Sequence, residues 1–143
     1  MRYYKHGTML CCLIGLISLT CTGCGKSSGI EKVVFTGNVS LDGQPISNGE
    51  IRFFPIEGTQ GPVSGSPIVD GSYETKYRDG IPVGKHRVEI MAYRAKGGSV
   101  PAEIAREGGA TEQYLPPKYN TSSELTRSVE SDTETMDFEL TSK

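Results

Sequence analysis

The chain of 143 residues contains no tryptophan, and its four cysteines, at positions 11, 12, 21 and 24, all lie within the first 24 residues. Residues 25–143 therefore cannot form a disulfide bond among themselves and must be stabilised by buried apolar surface and hydrogen bonds. Histidine is almost as scarce, since only His6 and His86 occur. A zinc carboxypeptidase site needs two histidines and a glutamate, so one histidine beyond the N-terminal segment argues against that enzyme class.

Clusters of basic residues are also missing. The chain has 15 Lys and Arg residues against 17 Asp and Glu residues, a formal net charge of -2. Two of the basic residues, Arg2 and Lys5, belong to the N-terminal segment, so the remainder is more acidic still. Binding to nucleic acid depends on grouped Lys and Arg side chains that meet phosphates. The composition therefore argues against a nucleic-acid partner.

No apolar run in the chain is long enough for a typical membrane-spanning helix, which needs about 20 residues. The longest run, Thr8–Thr20, follows a short basic start and is followed by small residues. This arrangement is typical of a secretory signal. An ordinary signal peptide cleaved nearby and a short uncleaved anchor are the alternatives.

The end of this segment, Cys21-Thr22-Gly23-Cys24, resembles the bacterial lipobox, in which a small residue directly precedes a cysteine. Here Gly23 is the small residue, and Cys21 stands where leucine is usual. The resemblance implies cleavage after Gly23, diacylglycerol on the Cys24 thiol, and acylation of the new amino group. By the usual sorting rule, Gly25 in place of an aspartate favours the outer over the inner membrane.

These features divide the chain into a signal peptide over residues 1–23, a lipidated cysteine with a flexible tether over 24–30, and a domain over 31–143. Residues 25–29 contain two glycines and two serines, a composition typical of flexible linkers. Fully extended, they span only about 17 Å. We therefore expect the domain to lie close to the bilayer.

Short segments of alternating apolar and polar residues, separated by turn signals, predict an all-β domain. The predicted strands are 33–41, 50–54, the edge strand 68–69, 72–77, 86–92, 125–129 and 136–140, with Asp42-Gly43 and Asp70-Gly71 as turns. Segment 57–67 reads as a loop. Segment 94–120 interrupts the alternation. Within it, residues 101–107 are expected to form a short helical turn, and the whole insertion is expected to be either functional or merely mobile.

The first part of the domain resembles carboxypeptidase regulatory-like domains. The matching strings are Gly37-x-Val39-x-Leu41-Asp42-Gly43-x-Pro45-Ile46, Gly49-x-Ile51-x-Phe53-x-Pro55, Asp70-Gly71-x-Tyr73, and Pro82-x-Gly84-Lys85-His86-Arg87-Val88-x-Ile90. The resemblance covers 33–93 and implies a single transthyretin-like, seven-stranded Greek-key β-sandwich. It implies no activity, because these motifs are turn and core residues that specify a fold.

Three groups of residues are candidate sites. His86 alternates with core residues, so a structural role is favoured over a catalytic one, and no Gly-x-Ser-x-Gly motif accompanies it. The acidic run 130–134 lacks the glycine of a calcium loop and is interpreted as the solvated end of a hairpin. Tyr114, Lys118 and Tyr119 could form an aromatic platform, but packing against the sheet edge is favoured.

The sequence thus predicts a non-enzymatic lipoprotein without cofactor or metal, bound to the membrane through lipid on Cys24. Its β-sandwich is expected to act as a binding or envelope-structural module, with an envelope protein or a glycan as partner. The alternative is a ligand-binding accessory subunit of a transport or polysaccharide system that uses the 94–120 loop.

Overall fold

The structure is a computed structural model that describes residues 29–95 and 111–143, and within these ranges it is all-β, as the sequence predicted. It contains two short 3-10 turns and no α-helix in the described part. Cys24, the predicted signal peptide over residues 1–23 and the predicted helical turn at 101–107 lie outside the described residues. In chain order the strands are β1 (Lys32–Val33), β2 (Thr36–Leu41), β3 (Gln44–Pro45), β4 (Asn48–Pro55), β5 (Ser64–Val69), β6 (Ser72–Glu74), β7 (Ile81–Pro82), β8 (Gly84–Ala95), β9 (Thr111–Gln113), β10 (Thr126–Val129) and β11 (Phe138–Leu140).

Nine of these strands form one curled sheet. Seven follow each other in the hydrogen-bonded order β10-β8-β4-β5-β6-β2-β11, while β3 pairs with β2 and β9 with β8. The pairs are antiparallel except for β11, which runs parallel to β2. The remaining strands, β1 and β7, form a separate antiparallel pair next to the N-terminus of β8.

The predicted alternation in β4 and β8 is confirmed. Ile51 and Phe53 are fully buried, whereas their neighbours Glu50 and Arg52 are only partly covered. In β8 the buried side is formed by four residues, each of them fully enclosed: His86, Val88, Ile90 and Ala92. A period of two places one side of each strand against the core, so these two strands form the inner wall of the domain.

The core lies between the two ends of the curled sheet. Phe35, which directly precedes β2, packs edge-on against Phe53 of β4 with 5.7 Å between ring centroids. It packs in the same way against Tyr73 of β6, at 6.4 Å. At the far ends of the sheet, the guanidinium of Arg127 on β10 lies 5.1 Å above the ring of Phe138 on β11. The curl therefore brings β10 and β11, the two ends of the hydrogen-bonded path, together over one core.

The two predicted Asp-Gly turns are confirmed. Asp42 and Gly43 have φ values of 50° and 80°, and Asp70 and Gly71 have 49° and 83°. Positive φ at both central positions is the geometry of the two-residue hairpin turns that match strand twist. These turns set the registers of β2 with β3 and of β5 with β6.

Three predicted strands and one predicted loop need correction. The predicted strand 33–41 is two strands, because the chain passes from the β1–β7 pair to the sheet at residues 34 and 35. Segment 57–67 is not entirely a loop, since β5 begins at Ser64. The predicted edge strand 68–69 is wrong as well: β5 has six residues and lies between β4 and β6.

The predicted strand 72–77 ends early, at Glu74, and its two tyrosines do not share a face. Tyr73 is buried and donates its hydroxyl to the backbone oxygen of Met136 at 2.6 Å. Tyr77 begins a 3-10 turn and is 56% exposed. The turn ends at Asp79, and three consecutive residues at its end have positive φ, which the strand prediction did not foresee: Arg78, Asp79 and Gly80.

Candidate functional site

The chain enters the domain at one end of the sheet, which we call the tether end. Gly29 is the first described residue, and the backbone oxygen of Glu31 accepts a hydrogen bond from the Val83 amide at 2.9 Å. β8 starts beside this contact, at Gly84, and continues for 12 residues to Ala95. At about 3.3 Å per residue, its two ends lie roughly 36 Å apart. The lipidation candidate Cys24 itself lies outside the described residues.

His86 occupies a structural position in the core wall. It is fully buried, its Nδ1 lies 3.0 Å from the backbone oxygen of Gly84, and its ring meets Phe53 edge-on at 6.2 Å. The other ring nitrogen, Nε2, has no hydrogen-bond partner among the described residues. Burial lowers the pKa of His86 below its ordinary value of 6.5, against a smaller opposing effect of the Gly84 contact. The ring is thus held neutral, with Nδ1 as its donor.

The acidic run 130–134 is mostly exposed, but the interpretation as a hairpin end is wrong. β10 pairs with β8 whereas β11 pairs with β2, so the run connects strands at opposite ends of the hydrogen-bonded path. Its backbone bonds internally, from Thr133 to Glu130 at 3.1 Å. In the described ranges, no three His, Cys, Asp or Glu side chains are grouped closely enough to hold a metal ion.

The possible aromatic platform is packed into the domain. Tyr119 is only 8% exposed, and its hydroxyl lies 3.1 Å from the backbone oxygen of Thr141 and 2.9 Å from the Thr141 amide. The Lys118 ammonium lies 5.0 Å above the Tyr119 ring, and the Arg94 guanidinium lies 5.3 Å above the Tyr114 ring. One face of each tyrosine ring is therefore covered by a cationic side chain of the protein, and the burial of Tyr119 agrees with the predicted packing.

An exposed surface that the sequence did not single out surrounds Tyr77. Two open grooves, of about 710 and 410 Å³, meet at Ser66, Pro67 and Tyr77, and we call them together the Tyr77 trough. The larger groove is also lined by Thr36, Gly37, Asn38, Val69, Ser72, Tyr73, Glu74 and Lys76, and the smaller one by Asn48, Gly49, Glu50, Gly65 and Tyr93.

The trough exists because β5 and β6 part soon after their shared turn. The two strands pair only at Val69 and Ser72. Beyond that pair the Ser66 hydroxyl reaches across to the backbone oxygen of Glu74, and the turn that carries Tyr77 packs against β5. Tyr77, which is more than half exposed, thus lies across an opening in the sheet surface.

The charged side chains around the trough neutralise one another. Glu50 accepts two hydrogen bonds from Arg52, each of 2.8 Å, and Glu74 accepts one from Lys76 at 2.7 Å. These pairs are exposed, so each stabilises the fold only slightly. Their main consequence is local: neither sign of charge is left in excess on the trough wall.

A small polar network built on the Asp137 carboxylate lies beside the trough wall at β2 and β6. The Asp137 carboxylate accepts the backbone amide of Asn38 at 2.7 Å and the Asn38 side-chain amide at 3.2 Å. The Ser72 hydroxyl in turn donates to the Asn38 side-chain oxygen at 3.1 Å. The amide of Asn38 is therefore fixed in one orientation before any ligand arrives.

Sequence reasoning missed Tyr77 because a spacing of four residues from Tyr73 fits one face of a continuous strand. The signal against that reading was Asp79-Gly80, a turn pair too close to allow the strand to continue.

Comparisons of the chain with protein-family models, with curated proteins and with solved structures find no match. The described residues also contain no helix with the length and apolar character needed to cross a membrane.

Proposed function

We propose that the protein is a bacterial lipoprotein whose β-domain acts without catalysis as a ligand-binding module at the cell envelope. The anchor is the Cys24 thiol, as the lipobox resemblance implies, and a short tether keeps the domain near the bilayer. One buried CH₂ contributes about 0.8 kcal/mol, and a single acyl chain gives only marginal attachment. Several chains on one cysteine therefore hold the domain at the surface.

We also propose that the curled sheet is a form of the seven-stranded Greek-key sandwich of carboxypeptidase regulatory-like domains. Two observations support this. The main hydrogen-bonded path has seven strands, and its two ends face each other across a core centred on the Phe35–Phe53 contact. The turns at 42–43 and 70–71, on which the resemblance partly rests, have hairpin geometry.

The exposure of Tyr77 at the junction of two grooves is the observation that carries the binding proposal. A tyrosine ring offers an apolar face and a polar hydroxyl, which suits recognition at a surface that remains in contact with water. The volumes of the grooves fall in the range of small-molecule sites. At Tyr114 and Tyr119, by contrast, a cationic side chain lies over one face of each ring.

The chemistry of the wall favours a neutral glycan as the ligand. An anionic ligand is best bound by unpaired Arg or Lys side chains, whereas those at the trough are paired with carboxylates. An apolar ligand would need a wall with fewer amides and hydroxyls than Asn38, Ser72 and Asn48 provide. Sugar rings combine C–H faces that stack on an aromatic ring with hydroxyls that bond to such groups.

The test is affinity electrophoresis and calorimetry with neutral probes: chitohexaose, cellohexaose, maltohexaose and xylohexaose. We expect one of them to bind, Tyr77→Ala to weaken that binding by tenfold or more, and Tyr77→Phe to retain most of it because the ring remains. Val34→Ala, at an exposed valine outside the trough, is the control. If none of the four binds, or if Tyr77→Ala binds as the parent does, the glycan proposal is wrong.

A second candidate function is an accessory subunit of a transport or polysaccharide system that binds through the 94–120 segment. It is favoured by one observation. Ala92 is the last residue of β8 that pairs with β4, and β8 continues beyond it to pair with β9 at Tyr93–Ala95. The Arg94–Glu112 ion pair joins the two strands at 2.7 Å. Deleting 101–109 should then abolish capture of a partner protein while thermal stability is kept. A loss of folding would instead assign the segment a structural role.

A further inference from the structure

The tether end carries a group of exposed apolar side chains that the proposed binding site does not use. Five large hydrophobic residues of the described chain are exposed, and three of them are Ile30 at 46%, Val34 at 49% and Val63 at 46%. We call these three the apolar rim. Single exposed valines are ordinary on protein surfaces, so the question is whether these three lie together.

The backbone places the rim around the point where the chain enters the domain. Ile30 and Val34 lie on either side of β1, an even number of residues apart. Ile30 is close to the loop before β5, because a Cβ added to Gly61 would lie 3.6 Å from the Ile30 Cγ2 atom. Val63 follows two residues later, next to the Ser64–Phe53 pair at the end of the β4–β5 ladder. A Cβ added to Gly80 would lie 3.0 Å from the Val34 amide nitrogen.

We propose that the apolar rim is a membrane-contact surface, which rests against the lipid bilayer and fixes the orientation of the anchored domain. This inference rests on the proposed lipid anchor at Cys24. Only five residues separate Cys24 from Ile30, and even extended they reach about 17 Å. The acyl chains therefore hold the rim within one short tether of the bilayer.

The charges around the rim indicate an apolar rather than an electrostatic contact. Lys32 uses its ammonium to donate to the backbone oxygen of Arg78 at 2.6 Å, and Lys85 pairs with Glu57 at 2.7 Å. The acidic residue Glu31 directly precedes Lys32 in the sequence, and Asp79 directly follows Arg78. Both signs are present without an excess of positive charge, so anionic headgroups offer no special attraction. The contact should be almost insensitive to salt.

Because the chain has no tryptophan, a single introduced tryptophan reports on one position alone. The full chain, lipidated in a bacterial host and purified from membranes, is reconstituted into phosphatidylcholine vesicles with or without brominated acyl chains. Val63→Trp is compared with Val69→Trp, a similarly exposed valine six residues along β5 and thus about 20 Å further from the tether end. We expect quenching by brominated lipid at position 63 to exceed that at 69 by threefold or more, at both low and high salt.

Adding Ile30→Ser and Val34→Ser to Val63→Trp should reduce that quenching at least twofold while the protein still floats with the vesicles. Equal quenching at positions 63 and 69, in protein that floats, would overturn the membrane-contact surface and leave the anchor intact. If the purified chain does not float with vesicles, the anchor fails and the membrane-contact surface fails with it, so the two failures are distinguishable.

Discussion

The buried imidazole of His86 makes the stability of the domain depend on pH in a narrow and predictable window. The ring has no exposed surface, and its Nε2 has no partner in the described part of the chain. Protonation would leave a charged Nε2–H buried without an acceptor among the described residues. The folded-state pKa is therefore lowered, chiefly by burial, below the value of 6.5 that the unfolded chain provides.

The sign and the size of the effect follow from linkage. As the pH falls through 6.5, His86 binds a proton more readily in the unfolded chain than in the folded chain. Its contribution to the free energy of unfolding is therefore fully present above pH 6.5 and decreases below that pH. If the folded state takes up no proton in this range, the free energy of unfolding decreases by about 1.2 kcal/mol between pH 7 and pH 5.5. A protein beginning at residue 25 lacks His6, so His86 is its one histidine.

Urea unfolding of that protein at pH 5.5, 6, 6.5, 7 and 8 measures the effect, with His86→Met as the control. Methionine is similar in volume and does not titrate, so the variant should lose this component of the pH dependence while carboxylates still contribute equally to both proteins. If the parent and His86→Met show parallel curves from pH 8 to 5.5, His86 is protonated as readily in the folded state, and the reasoning about its burial is wrong.

Other substitutions test the packing and the turns. Phe53→Ala should lower the free energy of unfolding by about 3–5 kcal/mol, because a fully buried ring is removed. Chemical denaturation measures this loss, and a loss below about 1 kcal/mol would contradict the assigned core. Gly37→Ala should lower it by roughly 3 kcal/mol, since the new Cβ would lie 1.9 Å from the Met136 backbone oxygen. Gly43→Ala should cost only about 1 kcal/mol from its positive φ. Gly71→Ala should cost more than Gly43→Ala, because its Cβ would also lie 2.6 Å from the Pro45 side chain; equal melting temperatures for the two variants would refute the collision.

The regular part of the fold could be predicted from sequence because local chemistry determined it. Ile51 and Phe53 alternate with charged residues, and the Asp-Gly turns need positive φ, so strands and hairpins follow from residue type alone. The predictions were wrong where pairing partners lay far away in sequence. Residues 64–67 were predicted to be a loop, but they belong to β5 because they form hydrogen-bonded pairs with β4.

The candidate site was harder to predict for the same reason. The role of His86 was foreseen, since it alternates with core residues. The importance of Tyr77 was not, because its exposure depends on the place where β5 and β6 part, a tertiary feature with no local signature. The apolar rim likewise joins residues from two segments, around positions 30–34 and position 63, that only the fold brings to one end of the domain.

The most direct test of the anchored-module account is the intact mass of the full chain after extraction from the membranes of an expressing bacterium. The account predicts residues 24–143 with a diacylglyceryl group on the thiol and a further acyl group on the amino terminus, and a Cys24→Ser variant that has neither group and leaves the membrane fraction. A parent protein that carries no lipid mass, or a Cys24→Ser variant that stays bound to membranes as the parent does, would contradict it.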